Sequence, residues 1–170
     1  MGEDVGSWGQ DIESSFPVLL QTLITQYNFT LLLGNMDVKW FMDYYQDMLP
    51  YFTNGRIKQI TFGVQHFDET VLTSMNRNLY NLASFKEKIS TLKSLNVDVT
   101  FYLIGCYPSE TEQQFDFFIQ NLIYFRDLGV KTTIFPFHRK EGTNITEEDL
   151  SQNEFNKRLN RIKLFGSISI

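Results

Sequence analysis

Five things are scarce or missing in this 170-residue chain, and each closes off a class of chemistry or setting. There is a single cysteine, Cys106. One thiol makes no intramolecular disulfide, and it supplies too few thiolates for an iron–sulfur cluster or a structural zinc site built from this sequence alone. Basic charge is in deficit: 15 Lys and Arg stand against 20 Asp and Glu, for a net charge of -5. A protein that grips a phosphate backbone unaided is normally basic, so autonomous nucleic-acid binding is not expected. No apolar run approaches the roughly 20 residues that span a bilayer. The start of the chain lacks the basic flank and apolar stretch of a signal peptide. A reducing, cytoplasmic setting without a membrane is therefore the expectation. Finally, nothing matches the glycine-rich phosphate loops GxGxxG or GxxxxGK[ST].

What is abundant is aromatic side chain, with 16 Phe and 8 Tyr. That is ample material for a packed core, and the length suits one domain spanning residues 1–170. Residues 1–14 are polar and carry three glycines, and they read as a loop. Apolar residues then recur at helical spacing from Phe16 to Tyr27, with Ser14 or Ser15 and Pro17 at the start. Phe29–Leu33 is a continuous apolar run of the kind a doubly buried parallel strand needs, ended by Gly34-Asn35. Asp37 caps a helix that Asn54-Gly55 stops. Further strands are expected at 57–64, 99–105 and 130–137. Helices are expected at 69–75, 82–95, after Thr111, and from about Glu147 to Phe165. Strands and helices alternate at the spacing of βα units, which implies an α/β fold with four parallel strands. Periodicity alone leaves open whether they form an open sheet or an arc of a barrel.

All strands of such a sheet end on one face, where α/β folds place ligands. The candidate residues there are Glu3 and Asp4; Asn35; Gln65, His66 and Asp68; Gly105 and Glu110; and His138 and Arg139. Arg77 follows a short helix beyond the second strand, where its cation could meet a carboxylate or phosphate. The stretch Val99–Phe115, VTFYLIGCYPSETEQQF, is the clearest strand–turn–helix unit.

Five segments, in order, resemble the radical S-adenosylmethionine (SAM) superfamily, closest to its tRNA methylthiotransferase branch. GEDVGSWGQDI at Gly2–Ile12 is similar to the family's ED(T/V)GAYGRDI. LLLGNM is similar to its third-strand region, and GVQHFDETVLTSMNR at Gly63–Arg77 resembles VQSGSDxVLxxMxR. LIGCYPSETEQQF resembles IVGFPGETEEDF, and FPFHRKEGT at Phe135–Thr143 resembles FxYSxREGT. The QHFD form is also near the QSFD of coproporphyrinogen dehydrogenase-like enzymes, which leaves the substrate class open between branches.

The resemblance implies a partial TIM-like (β/α)6 barrel, entered at the end of its second strand and carrying strand six to Phe137. It implies SAM as ligand. Glu3 and Asp4 match the motif that holds the SAM amino group. Gln65 and His66 match positions facing the ribose and methionine. Arg77 matches the partner of the carboxylate. Ile104 and Gly105 match the adenine wall, with Phe137 near the same ring. A zwitterion wants an acid and a guanidinium, and a purine wants a flat apolar wall with a residue small enough for close approach. The CxxxCxxC loop that holds the family's four-iron–four-sulfur (4Fe-4S) cluster has no counterpart in these residues, so no catalytic residue is assigned. The implied reading is a core fragment of a methylthiotransferase-like enzyme, inactive alone, whose intact relatives insert sulfur into tRNA. A second chain or segment would complete the barrel. The alternative is a non-catalytic α/β module that binds SAM or a nucleotide.

Overall fold

The computed structural model describes residues 4–108, 110–139 and 148–168. After a short 3-10 turn at Val5–Ser7, helices α1 (Phe16–Gln26), α2 (Val38–Thr53), α3 (Glu69–Ser74), α4 (Leu82–Ser94), α5 (Glu112–Asp127) and α6 (Gln152–Lys163) alternate with strands. The strands are β1 (Leu31–Asp37), β2 (Ile57–Gln65), β3 (Asp98–Gly105), β4 (Lys131–Pro136) and β5 (Ser167–Ile168). Their order in the sheet is β1-β2-β3-β4-β5, with β1 parallel to β2 and β4 parallel to β5. The expected α/β fold of parallel βα repeats is what forms.

Local chemistry explains the element starts. Asp37, Asp68, Asn81 and Ser151 each accept a backbone N–H of the following first turn. Thr111 and Gln114 cap α5 reciprocally, satisfying two otherwise orphaned donors. Three boundaries differ from the sequence expectation. Gly34-Asn35 does not end β1: the strand continues to Asp37 through an irregularity between Leu33 and Met36, with Asn35 at φ 32°. Helix α6 begins at Gln152, where Ser151 caps it, and the described residues 148–150 before it are not helical; Glu147 lies outside the described residues. The two-residue strand β5 has too short a pattern to be seen in sequence.

The chain forms two compact units, Met1–Gly63 with Tyr80–Thr100, and Val64–Leu79 with Phe101–Ile170. In the first, the rings of Phe41, Phe62 and Phe85 meet edge-on at centroid distances of 4.8, 5.6 and 6.1 Å, all fully buried. In the second, Phe67, Phe101, Phe115, Phe118 and Phe125 form the core with Ile134 and Ile162. Along β3, Val99, Phe101, Leu103 and Gly105 are buried and the alternate residues are not. Tyr102 and Ile104 therefore stand on the opposite face.

Candidate functional site at the strand ends

In the first unit, Asp4 organises its loop. Its Oδ1 accepts the N–H groups of Gly6 and Asp37, each at 3.0 Å, and so ties the loop to the start of α2. A Cβ at Gly6 would collide with the Trp40 side chain, so only glycine lets the loop lie there. A cavity of about 710 Å³ is lined by Asp4, Val5, Trp8, Gln10 and Ile12, among others. Glu3 lies outside the described residues. Burial raises the Asp4 pKa, and the two N–H bonds oppose that shift without cancelling it. A raised carboxyl favours the fold while protonated, and that contribution is lost as pH climbs through the folded-state pKa. Asp4→Asn keeps an oxygen for both N–H bonds and has no charge to desolvate. Its stability is expected to vary less than the wild type's as pH rises from about 4, read by urea unfolding across pH.

In the second unit, β2 ends in a strained turn. The His66 N–H donates to Val64 O at 2.7 Å, closing a γ-turn around Gln65, which has φ 63°. This positive-φ γ-turn is rare, and a non-glycine residue held there costs of order 1–3 kcal/mol. Cys106, just past β3, is likewise left-handed at φ 60°.

His66 is fully buried and stacks on Phe118 at 4.9 Å. Its Nδ1 accepts the Asp68 N–H at 3.0 Å, so Nε2 carries the proton and donates to Glu110 Oε1 at 2.9 Å. Glu110 is 4% exposed, and Arg158 of α6, also 4% exposed, donates to its Oε2 and to its backbone carbonyl. Arg158 Nε continues to Glu154 Oε1 at 2.9 Å. Both ring nitrogens of His66 are thus taken within the chain, and the ring lies in the core. His138 has a different setting, exposed and 6.3 Å from the Phe155 ring.

Gly105 is closely packed. A Cβ there would lie 2.8 Å from Ile162 Cδ1 and 3.1 Å from Ile134 Cγ2. The missing side chain makes room for the Ile162 and Ile134 side chains of α6 and β4. Its backbone still meets the predicted neighbour, because the Phe137 N–H donates to Gly105 O at 2.8 Å. Ile104 and Phe137 are half-buried. Tyr107, which sequence reasoning passed over, links this corner to the next. Its ring lies 5.1 Å edge-on to Phe137, and its hydroxyl donates to Ser74 O at the end of α3. Arg77 follows that helix and is exposed, and no ion pair with a described residue holds its guanidinium. A cavity of about 340 Å³ opens beside Cys106, Phe137, His138, Arg139 and Phe155.

These residues carry groups of the chemistry that parts of a SAM molecule would take. A free cation at Arg77 suits a carboxylate, and Ile104 with Phe137 suits an adenine face. They do not fit an iron–sulfur cluster. Cys106 is 2% exposed, and burial, with the nearby Glu110 carboxylate, pushes its thiol up to about 12. Among the described residues no three His, Cys, Asp or Glu side chains gather around a possible metal. Nor does any helix among them have the length and apolarity to cross a membrane.

No family model matches the chain. The human threonylcarbamoyladenosine tRNA methylthiotransferase is 29% identical over 118 residues, covering 66% of this chain and 20% of that protein. The Xenopus laevis enzyme of the same name is 28% identical over 118 residues, with 66% and 21% covered. The chain therefore spans about a fifth of the length of these curated relatives. Among solved structures, the archaeal Methanocaldococcus infernus Elp3 matches with TM-score 0.58 and 14% identity, over 82% of this chain and 35% of that one. Coproporphyrinogen III oxidase from Escherichia coli, a radical SAM enzyme, matches with TM-score 0.58 and 18% identity, over 87% and 35%. The resemblance carried by the ordered motifs is borne out: the chain is similar in sequence to tRNA methylthiotransferases and in fold to a radical SAM enzyme.

Proposed function

We propose that this chain is a SAM-binding part of a methylthiotransferase-like radical SAM enzyme, working in a reducing, cytoplasmic setting. The observation that carries the reading is the sequence similarity to tRNA methylthiotransferases over 118 residues. It is supported by what the second unit presents at its strand ends. There, Arg77 would hold the SAM carboxylate, and Gln65 would meet the ribose and methionine part. Ile104 and Phe137 would flank the adenine. His66 and Gly105 contribute through the fold that places these groups.

In such enzymes SAM supplies radical chemistry once a four-iron–four-sulfur cluster delivers an electron to it. With a single buried thiol, these residues take no part in holding a cluster, and the thiolates would come from outside them. The 170 residues alone are then expected to bind SAM and not to cleave it. Sulfur insertion into tRNA would be the work of the intact enzyme. The acidic balance of this chain favours RNA contact through other parts of the enzyme, or through a small local basic patch. A further chain or segment would complete the barrel.

Calorimetry with SAM tests the reading. The chain is expected to bind, and Arg77→Ala to weaken binding about ten- to hundredfold, the scale of one charge-assisted hydrogen-bonded pair. A folded chain that shows no heat of binding, or an Arg77→Ala variant that binds as well as the wild type, would overturn it. Anaerobic reconstitution adds a second check: a stable cluster and SAM cleavage by these residues alone would contradict the division of labour.

A further inference from the structure

We infer that the buried chain His66–Glu110–Arg158 is a clamp by which α6 holds Gln65 in its strained turn, which makes Glu110 and Arg158 positioning residues for the ligand face. The inference rests on the reading above, which gives Gln65 its role. Three observations carry it. First, the γ-turn at Gln65 is closed by the N–H of His66 itself, so the placement of His66 decides the turn. Second, His66 is gripped on both nitrogens. The Asp68 N–H fixes one side, and Glu110 Oε1, at 2.9 Å, fixes the other and selects the tautomer. Third, Glu110 is itself held at two points by one Arg158 nitrogen, through carboxylate Oε2 at 3.1 Å and carbonyl O at 3.0 Å. Arg158 is in turn aimed by Glu154 at 2.9 Å and lies over the Phe115 ring at 5.0 Å.

A strained backbone persists only where its surroundings over-determine it. Here the over-determining groups come from three separate elements: the turn after β2, the turn after β3, and α6. Side chains that lock a contacting residue from behind are what keep a binding face in register. The network contains one full cation, one full anion and a neutral imidazole, all but sealed from water. It therefore favours a single geometry, since any displacement leaves a buried donor or acceptor unpaired.

The test removes the clamp without orphaning a charge. In the double variant Glu110→Gln with Arg158→Met, His66 keeps an oxygen for its Nε2–H, but α6 no longer grips the turn. The backbone carbon shifts and the HN–Hα coupling of Gln65 are expected to leave left-handed values, while core methyl signals of Leu103 and Leu122 stay in place. Affinity for SAM is expected to fall about tenfold or more, the scale of a lost well-placed hydrogen bond. Arg158→Lys, which retains a cation for Glu110, is expected to keep the Gln65 signals and to lose no more than about threefold in affinity. A folded double variant with unmoved Gln65 signals would overturn the inference, as would Arg158→Lys shifting those signals as far as the double variant does. Should the wild type bind no SAM, the functional reading fails, while the Gln65 signals still decide the clamp.

Discussion

Arg158→Met is expected to lower the stability of the chain by about 3–5 kcal/mol, because it strands Glu110 as a buried charge without its cation. Arg158 and Glu110 are each 4% exposed, and their atoms meet at 3.1 Å. The variant also strips the bond to the Glu110 carbonyl and the bond to Glu154. The size of the effect comes from desolvation and not from the pair's net attraction. An intact buried ion pair contributes little net stability, but half of one is costly. Adding Glu110→Gln to Arg158→Met should therefore return at least half of the loss. Urea unfolding of the two single variants and the double variant reads this as a coupling energy. Losses that simply add would show that the two groups stabilise the chain independently. By contrast, Arg126 and Asp127, which meet at 2.6 Å with side chains 46% and 61% exposed, should be worth no more than about 1 kcal/mol, since water already solvates both.

Phe62→Ala is expected to cost about 3–5 kcal/mol through a cavity in the first unit. Phe62 has no exposure and lies edge-on to Phe41 at 4.8 Å and to Phe85 at 5.6 Å. The loss combines a buried aromatic surface with two edge-to-face contacts, and the rings left behind cannot collapse fully into the gap. Phe62→Leu refills most of the volume and should recover more than half of the loss. Chemical denaturation monitored by circular dichroism checks both variants. A Phe62→Ala loss under about 1 kcal/mol would mean the site relaxes completely, against the close packing usual in protein interiors.

The candidate site was legible in unequal parts. Ile104 and Phe137 follow from motif order, and Arg77 also from its place after a strand-end helix; the structure leaves Arg77 exposed and the other two half-buried. His66 and Gly105 are legible both from their strand-end placement and from motif order, but both are buried. A motif records that a position matters, not which way its side chain turns. For His66 the turn inward follows from Glu110, 44 residues later. For Gly105 the cause is Ile162, on a helix whose phase relative to β3 no local pattern encodes. Arg158 gave no signal at all, because a basic residue in a charged helix reads as surface until its partner is known. The one usable hint was Glu110, an acid between a proline turn and a capping box, noted at the strand end without a partner.

The amino-acid order alone was enough to determine the alternation of strands and helices, the caps that start α2 and α5, and the family resemblance. These depend on neighbours within a few residues or on linear motifs, where side-chain period and capping chemistry act directly. Tertiary structure decided the rest: the continuation of β1 through Gly34 and Asn35, the short strand β5, the left-handed turn at Gln65, and the burial of His66, Glu110 and Arg158 as one network. Each of these depends on groups far apart in the chain meeting in a low-dielectric interior, where an unpaired polar atom is too costly to leave.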